Sequence, residues 1–128
     1  MLGAGFYPIT IAELHSYSRD ADRFFERDEH EKLKEFLAFN PEGGDVIEGT
    51  GGVRLLRWPI RNPGKDAKRI VYYFRDLNMP LFLLAVYRKG ERIKLDLESK
   101  RQMERLVNEL VEQYSKKWAK VIGLPESG

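Results

Sequence analysis

Within Gly51–Lys94, three segments read as successive β-strands: Gly51-Gly-Val-Arg-Leu-Leu-Arg-Trp58, Lys68-Arg-Ile-Val-Tyr-Tyr-Phe-Arg75 and Pro80-Leu-Phe-Leu-Leu-Ala-Val-Tyr-Arg-Lys89. Each is short, rich in β-branched and aromatic residues, and bounded by Gly, Pro, Asn or Asp. Successive strand residues point to opposite faces. Alternation therefore sets Val53, Leu55 and Arg57 against Arg54, Leu56 and Trp58, so the two arginines of the first segment point opposite ways. In the second, Ile70, Tyr72 and Phe74 form the expected core face, opposite Arg69, Val71, Tyr73 and Arg75. In the third, Phe82, Leu84 and Val86 oppose Leu81, Leu83, Ala85, Tyr87 and Lys89. A strand apolar on both faces belongs inside a sheet, and only its end emerges as Tyr87, Arg88 and Lys89.

Upstream, Tyr7 to Leu14 reads as a first strand. Ser18 and Asp20 are candidate caps for a short helix through Phe24 and Phe25. Asp28 is a second cap candidate, with Glu31 three residues on and Leu33, Phe36 and Leu37 at core-facing spacing. That helix must stop at Asn40-Pro41, because the residue before proline avoids the α region. The Gly-rich link Gly43 to Gly52 lacks the Lys-Ser/Thr pair of a phosphate-binding loop and leads into a strand, so it reads as a turn-rich connection. The loop Pro59 to Lys68 carries Arg61, Lys65 and Lys68 among Pro, Gly and Asn, which suits a solvated flap facing phosphates. Downstream, Met103, Leu106, Val107, Leu110, Val111, Tyr114 and Trp118 recur at helical spacing, predicting a long helix over 98–122. The expectation is one α+β domain over residues 1–128: a small antiparallel or mixed sheet, two helices after the first strand, and a long C-terminal helix.

Charge is strongly segregated. From Val53 to Lys94 there are 11 Arg and Lys against 3 Asp and Glu, whereas residues 1–52 carry 5 basic and 11 acidic groups, in a chain of net charge +2. Such a basic segment attracts polyanions, nucleic acid first among them. With 42% apolar residues over 128 positions, one domain can bury roughly two-thirds of its unfolded surface. The absence of cysteine excludes disulfides, thiolate catalysis and Cys-based zinc sites and fits a reducing, cytoplasmic setting. No apolar run has membrane-spanning length, and no signal core opens the chain. Within the basic segment Asp66, Asp76 and Glu91 stand isolated, and His15 and His30 lie in the acidic third, so no metal site and no small-molecule cofactor are expected.

The run Phe36-Leu-Ala-Phe-Asn-Pro-Glu-Gly-Gly-Asp-Val-Ile-Glu-Gly-Thr-Gly-Gly-Val-Arg-Leu-Leu-Arg-Trp58, followed by Arg69-Ile-Val-Tyr-Tyr-Phe74, Pro80-Leu-Phe-Leu-Leu84 and Tyr87-Arg-Lys-Gly-Glu91, resembles the HigB branch of the RelE/ParE toxins of bacterial toxin–antitoxin systems. The resemblance covers about residues 28 to 97. It implies a small α+β toxin that cleaves mRNA on the ribosome and is silenced by a helix-turn-helix antitoxin. It matches Arg57, Arg69, Tyr87 and Lys89 to the family's working residues, expected here to be catalytic, and Arg54 to a further family position. Arg61, Lys65, Lys68, Tyr73, Arg88, Arg92 and Lys94 of the basic segment complete the expected RNA-binding surround. Many relatives carry Lys where this chain has Leu55, which removes one phosphate-binding charge.

The implied chemistry is metal-independent attack of an RNA 2′-hydroxyl on the adjacent phosphate. Tyr87 and Lys89 would handle protons, and Arg57 and Arg69 would hold the phosphate through their forked donors. Clustered positive charge is expected to favour the phenolate of Tyr87. Two other readings stand beside this one: a ParE-like gyrase inhibitor without nuclease chemistry, and a binding module that kept the sheet and lost catalysis. Without the resemblance, the same residues describe a solvated, charged sheet face with Tyr73 and Tyr87 as sheet aromatics.

Overall fold

The computed structural model describes residues 9–61, 64 and 66–121. In chain order the elements are β1 (Ile11–Glu13), α1 (His15–Phe24), α2 (Arg27–Phe39), β2 (Asp45–Val46), β3 (Val53–Trp58), β4 (Lys68–Tyr73), β5 (Leu81–Arg88) and α3 (Leu97–Val121). The strands form one mixed sheet in the order β1-β5-β4-β3-β2. β1 runs parallel to β5, and the remaining pairs are antiparallel. The α+β architecture expected from the sequence is present, with both N-terminal helices after the first strand.

The helix ends obey local chemistry. α1 starts before Ser18, because the Ser18 hydroxyl donates to Glu13 Oε1 (2.9 Å) instead of capping, and Leu14 takes the N-cap position in extended backbone. α2 starts from Glu26 and places Asp28 and Glu29 in its first turn, where acidic groups favour the positive end of the helix. It closes at Phe39. There the Asn40 side-chain amide and backbone N–H both donate to the Phe36 carbonyl, at 2.9 and 2.8 Å, ahead of Pro41.

The link 43–52 holds more order than a plain connection. Asp45 and Val46 pair with Leu55 and Arg54 as a fifth, edge strand. Thr50, fully buried, donates to the Ile47 carbonyl (2.6 Å) and accepts from the Val53 N–H (3.0 Å). The Tyr72 hydroxyl receives the Gly44 N–H (2.8 Å) and donates to the Pro41 carbonyl (2.9 Å). Residue 44 has to be glycine, since a Cβ there would lie 2.8 Å from the Tyr72 ring and 2.9 Å from the Leu55 carbonyl oxygen.

Both faces of the sheet are covered. Leu56, Ile70, Tyr72, Leu81, Leu83 and Val86 pack with Tyr17, Ala21, Phe25, Leu33 and Leu37 of α1 and α2 and their junction. On the other face Val53, Val71, Tyr73 and Leu84 pack against Val107, with Met103, Leu110 and Tyr114 of α3 alongside. β5 departs from simple alternation. Val71 lies opposite Ala85 and Tyr72 opposite Leu83, so Leu84 is an extra residue in a bulge. The bulge puts Leu84 and Ala85 together with Phe82 and Tyr87 on the α3 side, and Val86 with Leu81 and Leu83 on the helix-pair side. No described helix is long and apolar enough to cross a membrane.

Candidate nucleic-acid interface

Register alone assembles a row of functional groups. Arg57 lies directly opposite Arg69, and Arg69 directly opposite Tyr87, so the three stand side by side across β3, β4 and β5. Alternation puts them on the α3 side, with Tyr87 bordering that core. α3 does not begin at this end of the sheet. Its Lys100, Glu104 and Val107 pack over Gly49 and Gly51 where β3 starts, whereas Arg57 sits near the end of β3.

The members of the row are held differently. Arg57 is exposed and its guanidinium takes no partner among the described residues. Arg69 is half-buried, and its Nη2 donates to the backbone carbonyls of Arg88 (2.9 Å) and Glu91. Those carbonyls belong to the turn that leaves β5, where Gly90 has φ +93°, a left-handed conformation that side chains resist. The Glu91 carboxylate closes the same turn by accepting from the Arg88 N–H (2.9 Å) and Nε (3.1 Å). These hydrogen bonds hold the exposed Glu91 carboxyl below the usual carboxylate range. Lys89 projects from this turn. Its backbone N–H donates to the Ala67 carbonyl (3.1 Å), while its side chain is exposed.

Tyr87 reverses one expectation. Burial pushes its phenol above the ordinary tyrosine value, the Glu91 and Asp20 charges push the same way, and Arg69 opposes them. The group is therefore held as a neutral phenol, suited to giving a proton and not to taking one.

Several expected RNA contacts are employed inside the fold. Tyr73 is only 6% exposed, closed in beneath α3, and offers no ring face to a base. Lys68 is 5% exposed: it turns to the helix-pair side, pairs with Glu29 Oε1 (3.0 Å), donates to the Asp66 carbonyl (3.0 Å) and lies 4.9 Å from the Phe25 ring centroid. Arg54, on the face opposite Arg57 as alternation requires, donates to the Gly44 (2.8 Å) and Glu42 (3.3 Å) carbonyls and anchors the edge strand. Leu55 shares the Arg57 face but packs at the border of the α3-side core, which explains an apolar residue there. Arg61, Arg88, Arg92 and Lys94 are exposed. Lys65 lies outside the described residues.

Behind the row, on the helix-pair side, a cleft of about 500 Å³ opens between Phe24 at the end of α1 and the turn after β5. Asp66, Lys68, Arg88, Lys89 and Glu91 line it, and the Arg88 guanidinium lies 4.5 Å from the Phe24 ring centroid. Glu91, Asp66 and Phe24 were not candidates from sequence. The signal available for Glu91 was its spacing from Arg88, three residues across a glycine. His30 has a structural setting: it accepts from or donates to the Tyr17 hydroxyl (3.1 Å) and stacks on Phe25, 4.9 Å between centroids. Among the described residues no group of three or more His, Cys, Asp or Glu is placed to hold a metal ion. No known protein-family model matches the chain.

Proposed function

We propose that this protein is the toxin of a toxin–antitoxin pair and acts as a ribosome-dependent endoribonuclease that cleaves mRNA. The observation that carries the reading is the cross-strand row Arg57, Arg69 and Tyr87, bordered by Lys89. It combines a free guanidinium, a fixed guanidinium and a neutral phenol over one end of a basic sheet. Arg57 binds the scissile phosphate and stabilises its extra charge in the transition state. Tyr87, held protonated, delivers a proton to the leaving 5′-oxygen. Lys89, exposed beside the row, is the base or charge partner for the attacking 2′-hydroxyl. Arg69 acts mainly by fixing the turn that presents Lys89. The partners on this reading are the ribosome with its mRNA and a helix-turn-helix antitoxin, and the setting is the cytoplasm.

A second reading has specific support. Arg54, Lys68 and Tyr73 are committed to the fold and Leu55 supplies no charge, which favours a catalytically weakened member that binds nucleic acid or protein. A ribosome programmed with defined mRNA separates the two. Cleavage leaving a 2′,3′-cyclic phosphate or its hydrolysis product, abolished in Tyr87→Phe and Arg57→Ala, supports the nuclease. Binding without cleavage supports the second reading, and a gyrase block with normal translation would support a ParE-like toxin and refute both.

A further inference from the structure

We propose that the cleft behind the row is a guanine-reading subsite, with Asp66 as the reader; the proposal rests on the RNA-cleaving reading and names the base it selects. Position comes first. Lys68 and Arg88 are register partners on the helix-pair side, one residue along from the Arg69 and Tyr87 pair on the other side. The cleft and the row therefore meet on opposite faces of the same sheet end, where β4 starts and β5 finishes.

Size and lining fit a base better than a phosphate. About 500 Å³ falls within the range of small-ligand sites. The Arg88 guanidinium carbon lies 4.5 Å from the Phe24 ring centroid, and an aromatic and guanidinium pair of this kind offers a surface on which a base can stack. Asp66 and Glu91 line the same space, and two of its three cations, Lys68 and Arg88, are already paired with Glu29 and Glu91, which disfavours a phosphate. Glu91 is already held by Arg88. The Asp66 carboxylate accepts no hydrogen bond from a described residue, while its own backbone carbonyl is fixed by Lys68.

A cleft-lining carboxylate with no hydrogen-bond partner among the described residues calls for paired N–H donors. Of the four RNA bases only guanine offers two adjacent ones, at N1 and N2, which match the two oxygens of one carboxylate. Adenine and cytosine place a ring acceptor beside their amino group, and uracil offers a single N–H. On its other edge guanine presents O6 and N7, the acceptors that Arg and Lys recognise, and the exposed Lys89 lines the same cleft.

The test titrates the whole chain with GMP, AMP, CMP, UMP and inorganic phosphate, followed by amide shifts. GMP is expected to bind at least tenfold more tightly than the other nucleotides, moving signals around Phe24 and Asp66. Asp66→Asn should erase the preference with the fold unchanged, since the side chain is exposed, and Phe24→Leu should weaken all four nucleotides. Equal binding of the four, displacement by inorganic phosphate, or a preference that survives Asp66→Asn would overturn the subsite. Mapping of fragment ends on the ribosome separates this from the broader reading. Cleavage with no guanine bias and no GMP binding removes the subsite and leaves the nuclease, whereas Asp66-dependent GMP binding without cleavage removes the nuclease and leaves the subsite.

Discussion

Arg57 and Arg69 face each other across two strands and are put to different uses. Arg57 has no partner among the described residues, so Arg57→Ala should leave the melting temperature nearly unchanged and lower cleavage by about 10²-fold, the usual effect of losing one transition-state donor. Arg69 donates to two backbone carbonyls of the turn after β5. Its removal to Ala should cost about 1–2 kcal/mol of stability as well as activity, since hydrogen bonds from a charged group carry roughly that weight when partly exposed. Chemical denaturation of both variants checks the difference; equal melting would return Arg69 to the role of a free phosphate binder. Alternation alone separated Arg54 from Arg57, because facing is a local property of a strand. What Arg54, Lys68 and Arg69 hold was not legible, because their partners lie 10, 39 and 19 residues away in sequence. Tyr87 shows the same limit. A count of nearby cations predicts a lowered pKa, but burial and Glu91 outweigh Arg69. Phenolate absorbance, taken as the difference between wild type and Tyr87→Phe, should appear above the ordinary tyrosine range, and Glu91→Gln should bring it down.

At the scale of elements, the link between α2 and β3 carries a consequence that its glycine content disguised. The Tyr72 hydroxyl satisfies both the Gly44 N–H and the Pro41 carbonyl, and burial keeps its pKa raised. Tyr72→Phe leaves those two groups without their partner and should cost about 2 kcal/mol, within the range for orphaned buried polar groups. Guanidinium denaturation would expose the error if the loss were negligible. The α1–α2 pair has a pH signature of its own. Burial lowers the His30 pKa below its ordinary 6.5, Lys34 lowers it further, and Glu13, Glu31 and Asp22 oppose weakly. The unfolded chain then takes up the proton first as pH falls. Stability from His30 is thus full above pH 6.5 and is lost as the pH drops through the folded value. His30→Gln should flatten the fall in melting temperature between neutral and mildly acid pH, and an unchanged slope would assign that loss to other groups. Apart from β2, element types and order were legible, since apolar periodicity and the Asn40-Pro41 stop are strong signals. The two-residue β2 and the bulge at Leu84 were not, because both are set by cross-strand pairing that a single sequence does not display.

Over the whole molecule, the charge map limits how RNA can be held. The sequence offers ten cations as candidate phosphate contacts: Arg54, Arg57, Arg61, Lys65, Lys68, Arg69, Arg88, Lys89, Arg92 and Lys94. Four of them, Arg54, Lys68, Arg69 and Arg88, donate to carbonyls or a carboxylate within the fold, which leaves six. Each phosphate contact on single-stranded nucleic acid contributes about −0.7 to the slope of log K against log salt, so six contacts set a limit near −4, against about −7 for all ten. Measured binding of a short single-stranded RNA across a salt series should therefore give a slope no steeper than about −4. Neutralising Lys89 or Arg57 should make it shallower by about 0.7 each, while Lys68→Met should leave the slope unchanged and lower only stability, through the stranded Glu29. The α1–α2 pair covers the opposite side from the row, so the strand approaches along the end of the sheet where β3 and β5 finish. A slope near −7, or one that responds to Lys68→Met, would mean that the buried cation leaves Glu29 to meet phosphate and that the sheet end rearranges on binding.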